Sequence, residues 1–299
     1  MPATRDRLSD ALNEVRSAVD ARLPVLLGEG GGDPLDPLPA AARAGLVSPG
    51  KRVRPALVFL SGFLFGARRE QLLDPACAVE MIHAASLALD DLPSMDNATT
   101  RRGRPALHVA HGEDLAILAA VTLLTRAFGI LADAGLKSGG PGASAALDLI
   151  SRLAESSGLL GLASGQALDL RTPESAATFE RLETIHARKT GALFVVSAEF
   201  GAVLGGARAK ELAAVRSYAK NIGLAFQIVD DLLEPTPHAR TGKESLRPPA
   251  PTFARHVGRE GARRLVEELT QHAVEALGVF GRKGALLTEF ARLLRDRTS

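Results

Sequence analysis

Three carboxylates stand close together in the stretch ALDDLPSMDN, residues 88–97. Asp90, Asp91 and Asp96 follow an apolar run of the kind that a protein buries. Carboxylates in a dry core are costly because each loses its hydration and repels its neighbours, so a positive partner or water must reach them. A metal ion, a basic side chain and plain solvent are the three candidates.

The position of this first acidic cluster favours a cation. Asp90 and Asp91 come at the end of a predicted helix that Pro93 stops, where the helix dipole already places partial negative charge. Mg²⁺ prefers carboxylate oxygens and shares its coordination with substrate phosphates. Arginines, which bind phosphate through a fork of donors, follow at once in NATTRRGRPALH. The alternative is a solvated acidic turn in which Asp96 is a cap.

A second acidic cluster ends another apolar helix, in IGLAFQIVDDLLE. The i, i+4 spacing puts Asp230 and Glu234 on one helical face, with Gln227 about one turn before them. If the two helices line one cavity, their carboxylates face each other and can hold several Mg²⁺ ions with a diphosphate between them. Two such clusters in one chain favour a metal site over two solvated turns.

The elements that must position these clusters are predicted to be helices. Ala, Leu, Glu and Arg dominate, Trp is absent, and β-branched residues rarely alternate with polar ones as strands require. The helical spacing of apolar residues predicts helices at 5–26, 38–47, 51–66, 70–92, 113–136, 142–168, 175–188, 190–206, 209–234, 252–279 and 284–297. No stretch has the composition of an interdomain linker, so residues 1–299 are expected to form a single all-α domain.

Composition limits the function classes and the expected location. The formal net charge of +2 comes from mixed acidic and basic residues, so no nucleic-acid partner is indicated. The single cysteine, Cys77, cannot form an internal disulfide, which fits the reducing cytosol, and the charged N-terminal residues do not resemble a signal sequence. The most apolar stretch, LAILAAVTLL at 115–124, has about half the length of a membrane span. We expect a cytoplasmic protein with no membrane span, in which this stretch is a buried core helix.

Given both clusters, the sequence resembles the trans-isoprenyl diphosphate synthases of the polyprenyl synthetase family, which include farnesyl and geranylgeranyl diphosphate synthases. The resemblance covers residues from about 48 to 260 and rests on motifs in family order: PGKRVRP, EMIHAASLALDDLPSMDNATTRRGRPALH, GLASGQALDL, HARKTGALF and GLAFQIVDDLLE. It implies a single-domain isoprenoid synthase bundle of helices around a deep central cavity that holds the active site, and a homodimer.

The resemblance also implies a role for each matching residue. Mg²⁺, as three ions when diphosphate is bound, would be coordinated by Asp90 and Asp96 on one side and Asp230 on the other. The allylic diphosphate would be held by Arg101, Lys189 and Lys243, while Thr190 and Gln227 would face the developing cation. The diphosphate of isopentenyl diphosphate would be held by Lys51, Arg54, His83 and Arg102.

Plainer interpretations of some of these residues stay open. Lys51, Arg52 and Arg54 alone are also typical of a solvated helix start, and His83 of a satisfied core histidine. Gln166 and Asp169, three residues apart on one helix face, either line the cavity or make a packing contact.

The implied reaction is a Mg²⁺-dependent, head-to-tail condensation of isopentenyl diphosphate with an allylic diphosphate. Mg²⁺, Lys and Arg neutralise the charge that grows on the leaving diphosphate, so no side-chain nucleophile is required. In this family, side chains upstream of the first acidic cluster set the product length. Ala85 and Ser86 are small, and Met81 and Ile82 one turn further can form the floor of the cavity. This favours linear products of C15–C20, geranylgeranyl diphosphate foremost.

Two departures from the family pattern concern the second half of the site. Glu234 stands where the family usually has Asp, and the following loop keeps Lys243 but is shortened and lacks a second lysine. Because that loop normally helps to close over the diphosphates, a non-catalytic partner subunit of a prenyl synthase is one alternative. A class I terpene synthase, which ionises an allylic diphosphate and cyclises it, is the other. It needs no second diphosphate site, and the residues implied for such a site argue against it: Lys51, Arg54, His83 and Arg102.

Overall fold

The computed structural model describes residues 4–28, 30, 33, 35–138, 140–233, 244–245 and 251–297. These residues form the helices α1 (Thr4–Leu27), α2 (Leu38–Leu46), α3 (Val53–Leu64), α4 (Arg69–Asp90), α5 (Leu107–His111), α6 (Glu113–Ser138), α7 (Gly140–Ser157), α8 (Leu162–Arg171), α9 (Phe179–His186), α10 (Ala192–Leu204), α11 (Ala209–Leu233), α12 (Phe253–His256), α13 (Gly258–Ala276) and α14 (Ala285–Arg295). Two 3-10 segments, Glu174–Ala176 and Leu277–Gly284, and a π-helical turn, Ala187–Gly191, join some of them. The all-α prediction is confirmed.

Helix α4 lies at the centre of the packing. Residues 75–82 are all buried, so each side of the helix is covered by other parts of the protein. Its neighbours are α1, α2, α3, α6 and α10. A helix that is apolar all round is stable only inside a protein, which explains this central place. The first acidic cluster therefore stands at the end of a helix that cannot easily shift.

Helices α3 and α10 pack backbone against backbone. Gly201 of α10 faces the carbonyl oxygen of Val58 and the nitrogen of Gly62, and a Cβ at Gly201 would clash with both. Close approach of this kind requires glycine, because any side chain would separate the helices. The contact positions α3, which begins directly after Lys51 and Arg52, relative to the interior of the protein.

The structure breaks two predicted helices. The helix predicted over 142–168 is α7 and α8, separated at residues 158–161, where a Cβ on Gly161 would clash with the carbonyl of Ser156. The helix predicted over 252–279 is α12 and α13, separated at Val257, and Gly258 has a φ of 74° that favours glycine. In both places a glycine permits the break, although the spacing of apolar residues predicted a continuous helix.

A small sheet was not predicted. Strands β1 (Ala98–Arg101), β2 (Arg104–Pro105) and β3 (Glu244–Ser245) form an antiparallel sheet in the order β2-β1-β3. Arg101 pairs with Arg104, so Arg102 and Gly103 make a two-residue hairpin turn in which both have positive φ, 54° and 73°. Positive φ at both central residues is typical of a tight hairpin.

The prediction that residues 115–124 form a buried core helix is wrong for one side of α6. Ala116, Ala119 and Ala120 are buried, whereas Ile117, Leu118 and Val121 are 43%, 50% and 49% exposed. By length and composition, two helices of the described chain could cross a membrane. In Arg69–Asp90, 72% of the most apolar 18-residue stretch is buried in the protein, and in Glu113–Lys137 the buried share of that stretch is 39%. The expected absence of a membrane span stays a prediction.

We expect Gly201→Ala to lower the free energy of unfolding by about 3 kcal/mol, because the added methyl group must push α3 and α10 apart. The matched control is Gly129→Ala in α6, where the nearest atom to an added Cβ is the end of the Arg126 side chain at 3.5 Å. This second change should stabilise the protein by about 0.5–1 kcal/mol, as alanine does in helices. Urea denaturation measures both, and equal effects of the two variants would contradict the close backbone contact.

Candidate active site

The first acidic cluster lies where α4 ends and the chain turns back on itself. The backbone N–H of Asp96 donates to the carbonyl of Asp90 at 2.9 Å, and the N–H of Ala98 donates to the carbonyl of Asp91 at 3.0 Å. Asn97 takes a left-handed conformation, with φ 49°, inside this tight return. The loop brings the two predicted metal ligands, Asp90 and Asp96, to the same end of α4, where both are partly exposed.

Asp91 is used inside the protein instead. Its side chain is only 4% exposed, and the guanidinium of Arg101 on β1 donates to it from Nε at 3.1 Å and also from Nη2. Arg101, predicted to hold the allylic diphosphate, thus forms an ion pair beside the cluster and keeps 23% of its side chain exposed. Its role toward a substrate stays a prediction.

Lys189 is a fixed cation close to this cluster. It lies in the π-helical turn, and its ammonium donates to the carboxylate of Asp169 on α8 at 2.7 Å. The two segments can approach because Gly165 has no side chain, and a Cβ there would clash with the backbone of Lys189. Burial opposes the charge of Lys189, but the carboxylates of Asp169, Asp90 and Asp96 outweigh it and raise the pKa of this lysine. The charge of Lys189 is therefore held within electrostatic reach of Asp90 and Asp96.

Thr190, Gln227 and Asp231 form a row of hydrogen bonds between the π-helical turn and α11. The Thr190 hydroxyl donates to Gln227 Oε1 at 2.7 Å, and Gln227 Nε2 donates to Asp231 Oδ1 at 3.0 Å. The other oxygen of Asp231 accepts from the backbone N–H of Phe253 at 3.3 Å. Asp231 thus orients the amide of Gln227. This role of Asp231 was not predicted from the sequence, although the i, i+4 spacing of Gln227 and Asp231 is a signal for it.

Asp230 belongs to the second acidic cluster and faces a residue that the sequence analysis missed, Arg297. Arg297 Nη2 lies 2.7 Å from Asp230 Oδ1 and donates to the carbonyl of Phe226 at 2.7 Å. The guanidinium also stacks over the Phe226 ring at 3.7 Å. Burial raises the pKa of Asp230, and the charges of Arg297, Arg54 and Lys51 partly offset this effect.

The residues predicted to hold the diphosphate of isopentenyl diphosphate form two linked groups. Arg54, His83 and Arg102 lie within electrostatic reach of one another. Lys51 and Arg54 lie within electrostatic reach of Asp230. Burial lowers the pKa of Arg54 to about 10, against the attraction of Glu80 and Asp230. Burial, and then the charges of Arg54 and Arg102, hold the pKa of His83 well below its usual value. His83 is therefore a neutral imidazole at pH 7, able to donate one hydrogen bond.

Two further residues singled out in the sequence, Gln166 and Asp169, lie beside the site. Gln166 Nε2 lies 4.0 Å from Met95 Sδ in the first acidic loop, and Asp169 holds Lys189, so both border the site. Glu234 and Lys243 lie outside the described residues.

The donor set fits Mg²⁺ together with a phosphate better than a metal held by protein alone. Within the described ranges, no group of three or more His, Cys, Asp and Glu side chains is placed to hold a metal ion. Carboxylates from separate helix ends would therefore need oxygen atoms from a ligand to complete an octahedral site. Nε of Arg54 and Nε of Arg297 are buried donors with no hydrogen-bond partner in the part of the chain that the structure describes. Such donors fit an anionic ligand.

His186, at the end of α9, is a buried titratable group beside the site. It is 6% exposed, its ring centre lies 5.3 Å from that of Phe253, and neither ring nitrogen has a hydrogen-bond partner among the described residues. Burial lowers the pKa of His186 to about 4; Asp169 opposes this shift and Lys189 adds to it.

We expect the free energy of unfolding to fall by about 3 kcal/mol on account of His186 as the pH is lowered from about 6.5 to about 4. In this window the histidine of the unfolded chain takes up a proton, whereas the folded protein keeps it neutral. Urea denaturation at pH 7 and at pH 4.5 measures the effect. His186→Phe should lose this part of the pH dependence, the exposed His272→Phe should keep it, and identical curves for the two variants would contradict the assignment.

The sequence is similar to known proteins over most of its length. A family model described as Polyprenyl synthetase matches residues 37–247. The protein named geranylgeranyl pyrophosphate synthase 9, chloroplastic, of Arabidopsis thaliana is 38% identical over 291 residues, which cover 95% of this chain and 78% of that relative. The geranylgeranyl diphosphate synthase of Pantoea ananas is 38% identical over 271 residues, 90% of this chain and 85% of its own.

Solved structures are similar over nearly the full length. An FPP/GFPP synthase from Zymomonas mobilis has a TM-score of 0.85 and 34% identity, with 97% of this chain and 99% of that chain covered. A geranyltransferase from Legionella pneumophila has a TM-score of 0.87 and 31% identity, with 99% of each chain covered.

Proposed function

The chain belongs to the polyprenyl synthetase family and is a trans-prenyl diphosphate synthase, and we propose that it condenses isopentenyl diphosphate head to tail with an allylic diphosphate in a Mg²⁺-dependent reaction. One observation carries the proposal: two separate sets of cations accompany the acidic clusters. Lys189 lies near Asp90 and Asp96, while Lys51 and Arg54 lie near Asp230. Two sets of cations support two diphosphate substrates, whereas a cyclase needs one.

The first half of the proposed reaction takes place at the end of α4. The C–O bond of the allylic substrate breaks, and both of its electrons leave with the diphosphate. Mg²⁺ held by Asp90, Asp96 and Asp230 would supply positive charge to that leaving group. Lys189 adds a further positive charge, kept in place by its ion pair with Asp169 before any substrate arrives. A preorganised charge of this kind stabilises the transition state without reorganisation.

The allylic carbon becomes positive as the bond breaks, and oxygen atoms can stabilise it. In the proposed arrangement these are the oxygens of Thr190 and Gln227, which are hydrogen-bonded to each other at 2.7 Å. The hydrogen bond from Gln227 Nε2 to Asp231 keeps the amide oxygen turned toward Thr190.

The second substrate would bind through Lys51, Arg54 and Arg102, with neutral His83 as a hydrogen-bond donor. Its double bond supplies the electron pair for the new C–C bond to the allylic carbon. A proton is then lost from the condensed chain to the released diphosphate. The product is a linear prenyl diphosphate, and no covalent intermediate with the enzyme is formed.

The proposed products are C15–C20 linear prenyl diphosphates, with geranylgeranyl diphosphate favoured. Ala85 and Ser86, just before Asp90, leave space for a growing chain. Met81 and Ile82 are fully buried and lie about one turn before Ala85 and Ser86 in α4. The relatives from Arabidopsis and Pantoea are named geranylgeranyl synthases, which supports the C20 product.

Product analysis tests the proposal. Purified protein is incubated with Mg²⁺, isopentenyl diphosphate and, separately, dimethylallyl, geranyl and farnesyl diphosphate. We expect linear C15–C20 diphosphates, loss of turnover with EDTA, and a fall in kcat of at least about 100-fold in Asp90→Ala and Asp230→Ala. Asp133→Ala, which removes a half-exposed aspartate of α6, is the matched control and should stay fully active. Cyclic hydrocarbons would indicate a terpene synthase, and a folded protein that elongates no primer would indicate a partner subunit.

We further propose that the chain is a cytoplasmic homodimer and that α6 forms part of its interface. Ile117, Leu118 and Val121 present an exposed apolar face, and such faces on helices of globular proteins mark interaction sites. A second copy is the favoured occupant over a membrane, because the face begins beside the charged residues Glu113 and Asp114. Symmetric pairing of one apolar face with itself is the commonest form of oligomer.

Light scattering after size exclusion tests the dimer. Wild-type protein should have twice the monomer mass of 31.3 kDa, and Leu118→Lys should shift toward the monomer because a lysine in the apolar contact loses its hydration. Leu293→Lys on α14 is the matched control and should stay dimeric. A monomeric wild type that sediments with lipid vesicles would instead identify a membrane as the occupant of the α6 face.

A further inference from the structure

Two of the cations proposed for isopentenyl diphosphate lie on one segment, residues 48–54, whose first part belongs to no helix. Lys51 is exposed and Arg54 is partly exposed, whereas Arg52, which directly follows Lys51, has a side chain only 4% exposed, so the interpretation as a solvated helix start is wrong for Arg52. Arg52 has the left-handed conformation, φ 50° and ψ 40°, directly before α3. A residue other than glycine takes this conformation only where its surroundings enforce it.

Hydrogen bonds of the Arg52 guanidinium hold the residue in this conformation. Its Nε donates to Asp20 of α1 at 2.7 Å, its Nη1 donates to Glu80 of α4 at 2.7 Å, and its Nη2 donates to the carbonyl of Ser48 at 3.1 Å. Burial opposes the charge of Arg52, but the two carboxylates outweigh it and raise the pKa of this arginine. The guanidinium of Arg52 thus connects residues 48–54 to α1, to α4 and to Ser48 at the beginning of the same segment.

Glu80 connects this fork with the reacting groups. It lies three residues before His83 and ten before Asp90, and steps of three or four residues keep all three positions near one side of α4. Because α4 is buried on every side along residues 75–82, Glu80 is a rigid anchor. The position of Lys51 and Arg54 relative to the first acidic cluster is therefore determined through Arg52.

Arg102 holds the same segment from the other side. Its Nη1 donates to the carbonyl of Pro49 at 2.5 Å and to the hydroxyl of Ser48 at 3.2 Å. Gly50 lies close to the ends of both arginines, and an added Cβ would lie 2.9 Å from Arg102 Nη1 and 3.4 Å from Arg52 Nη1, so that the Arg102 side chain would have to shift. Two arginines thus hold residues 48–54 in place. Of the two, Arg52 is the buried one, and it forms ion pairs with Asp20 of α1 and Glu80 of α4.

We propose that Arg52, held by Glu80 and Asp20, is a positioning residue that sets the affinity for isopentenyl diphosphate without touching it. The inference rests on the proposed function and adds a residue to the same site. Turning Arg52 inward is what places Lys51 and Arg54, one on each side of it, toward the ligand.

The test compares Arg52→Lys and Asp20→Asn with a matched control, Asp74→Asn. Asp74 accepts from Arg22 at 2.7 and 2.9 Å and also links α1 with α4, and its hydrogen bonds among the described residues do not involve residues 48–54. Asp20 is 46% exposed, so its replacement leaves a folded protein even if Arg52→Lys does not. Isothermal titration with isopentenyl diphosphate in EDTA gives Kd, and initial rates with Mg²⁺ give the two KM values and kcat.

We expect Kd and KM for isopentenyl diphosphate to rise about tenfold in Arg52→Lys and about threefold in Asp20→Asn, since small misplacements of binding groups are costly. The KM for the allylic substrate and kcat should stay within about twofold of wild type, and the control should match wild type throughout. A purely structural role would instead lower thermal stability in all three variants and leave Kd unchanged, which would overturn the inference. A wild type that binds isopentenyl diphosphate without condensing it would refute the proposed function alone, because Kd in the variants still decides the role of Arg52.

Discussion

Consecutive residues of an α-helix point about 100° apart, so two adjacent aspartates cannot both face one cavity. Each Asp-Asp pair of this protein shows the consequence. Asp91 turns inward to Arg101, and Asp231 turns inward to Gln227 and to the N–H of Phe253. The partners Asp90 and Asp230 stay partly exposed. Because the charges of Asp91 and Asp231 are compensated inside the protein, Asp90 and Asp230 can face a ligand.

The helices that carry these pairs are held by contacts that leave little freedom. Buried residues surround α4, and α3 meets α10 through Gly201 with no side chain between them. Tyr218 of α11 donates to the carbonyl of Leu287 at the start of α14, at 2.6 Å. Since protein interiors are close-packed, strain at one of these contacts is transmitted rather than absorbed. The packing of apolar helices therefore fixes the separation of the two acidic clusters.

The sequence was informative where a local pattern carries the information. Apolar periodicity predicted α1, α4, α6 and α11 to within a few residues, and the motifs predicted the family. It failed where the outcome depends on partners distant in the chain. Asp169 for Lys189, Arg297 for Asp230 and Glu80 for Arg52 are pairs that no spacing rule connects. The exposed face of α6 is of the same type, because an apolar helix does not reveal which of its sides other helices will cover.

The buried cations near Glu80 have a further physical meaning. Burial lowers the pKa of Arg54 and of Arg102, and the attraction of Glu80 for both arginines does not cancel this effect. Holding cations that have lost part of their hydration lowers the stability of a protein. A diphosphate that binds to these cations would replace the lost hydration with several charge-assisted hydrogen bonds. The protein thus maintains, at some cost to its own stability, an arrangement of charges that is complementary to an anion with several oxygens.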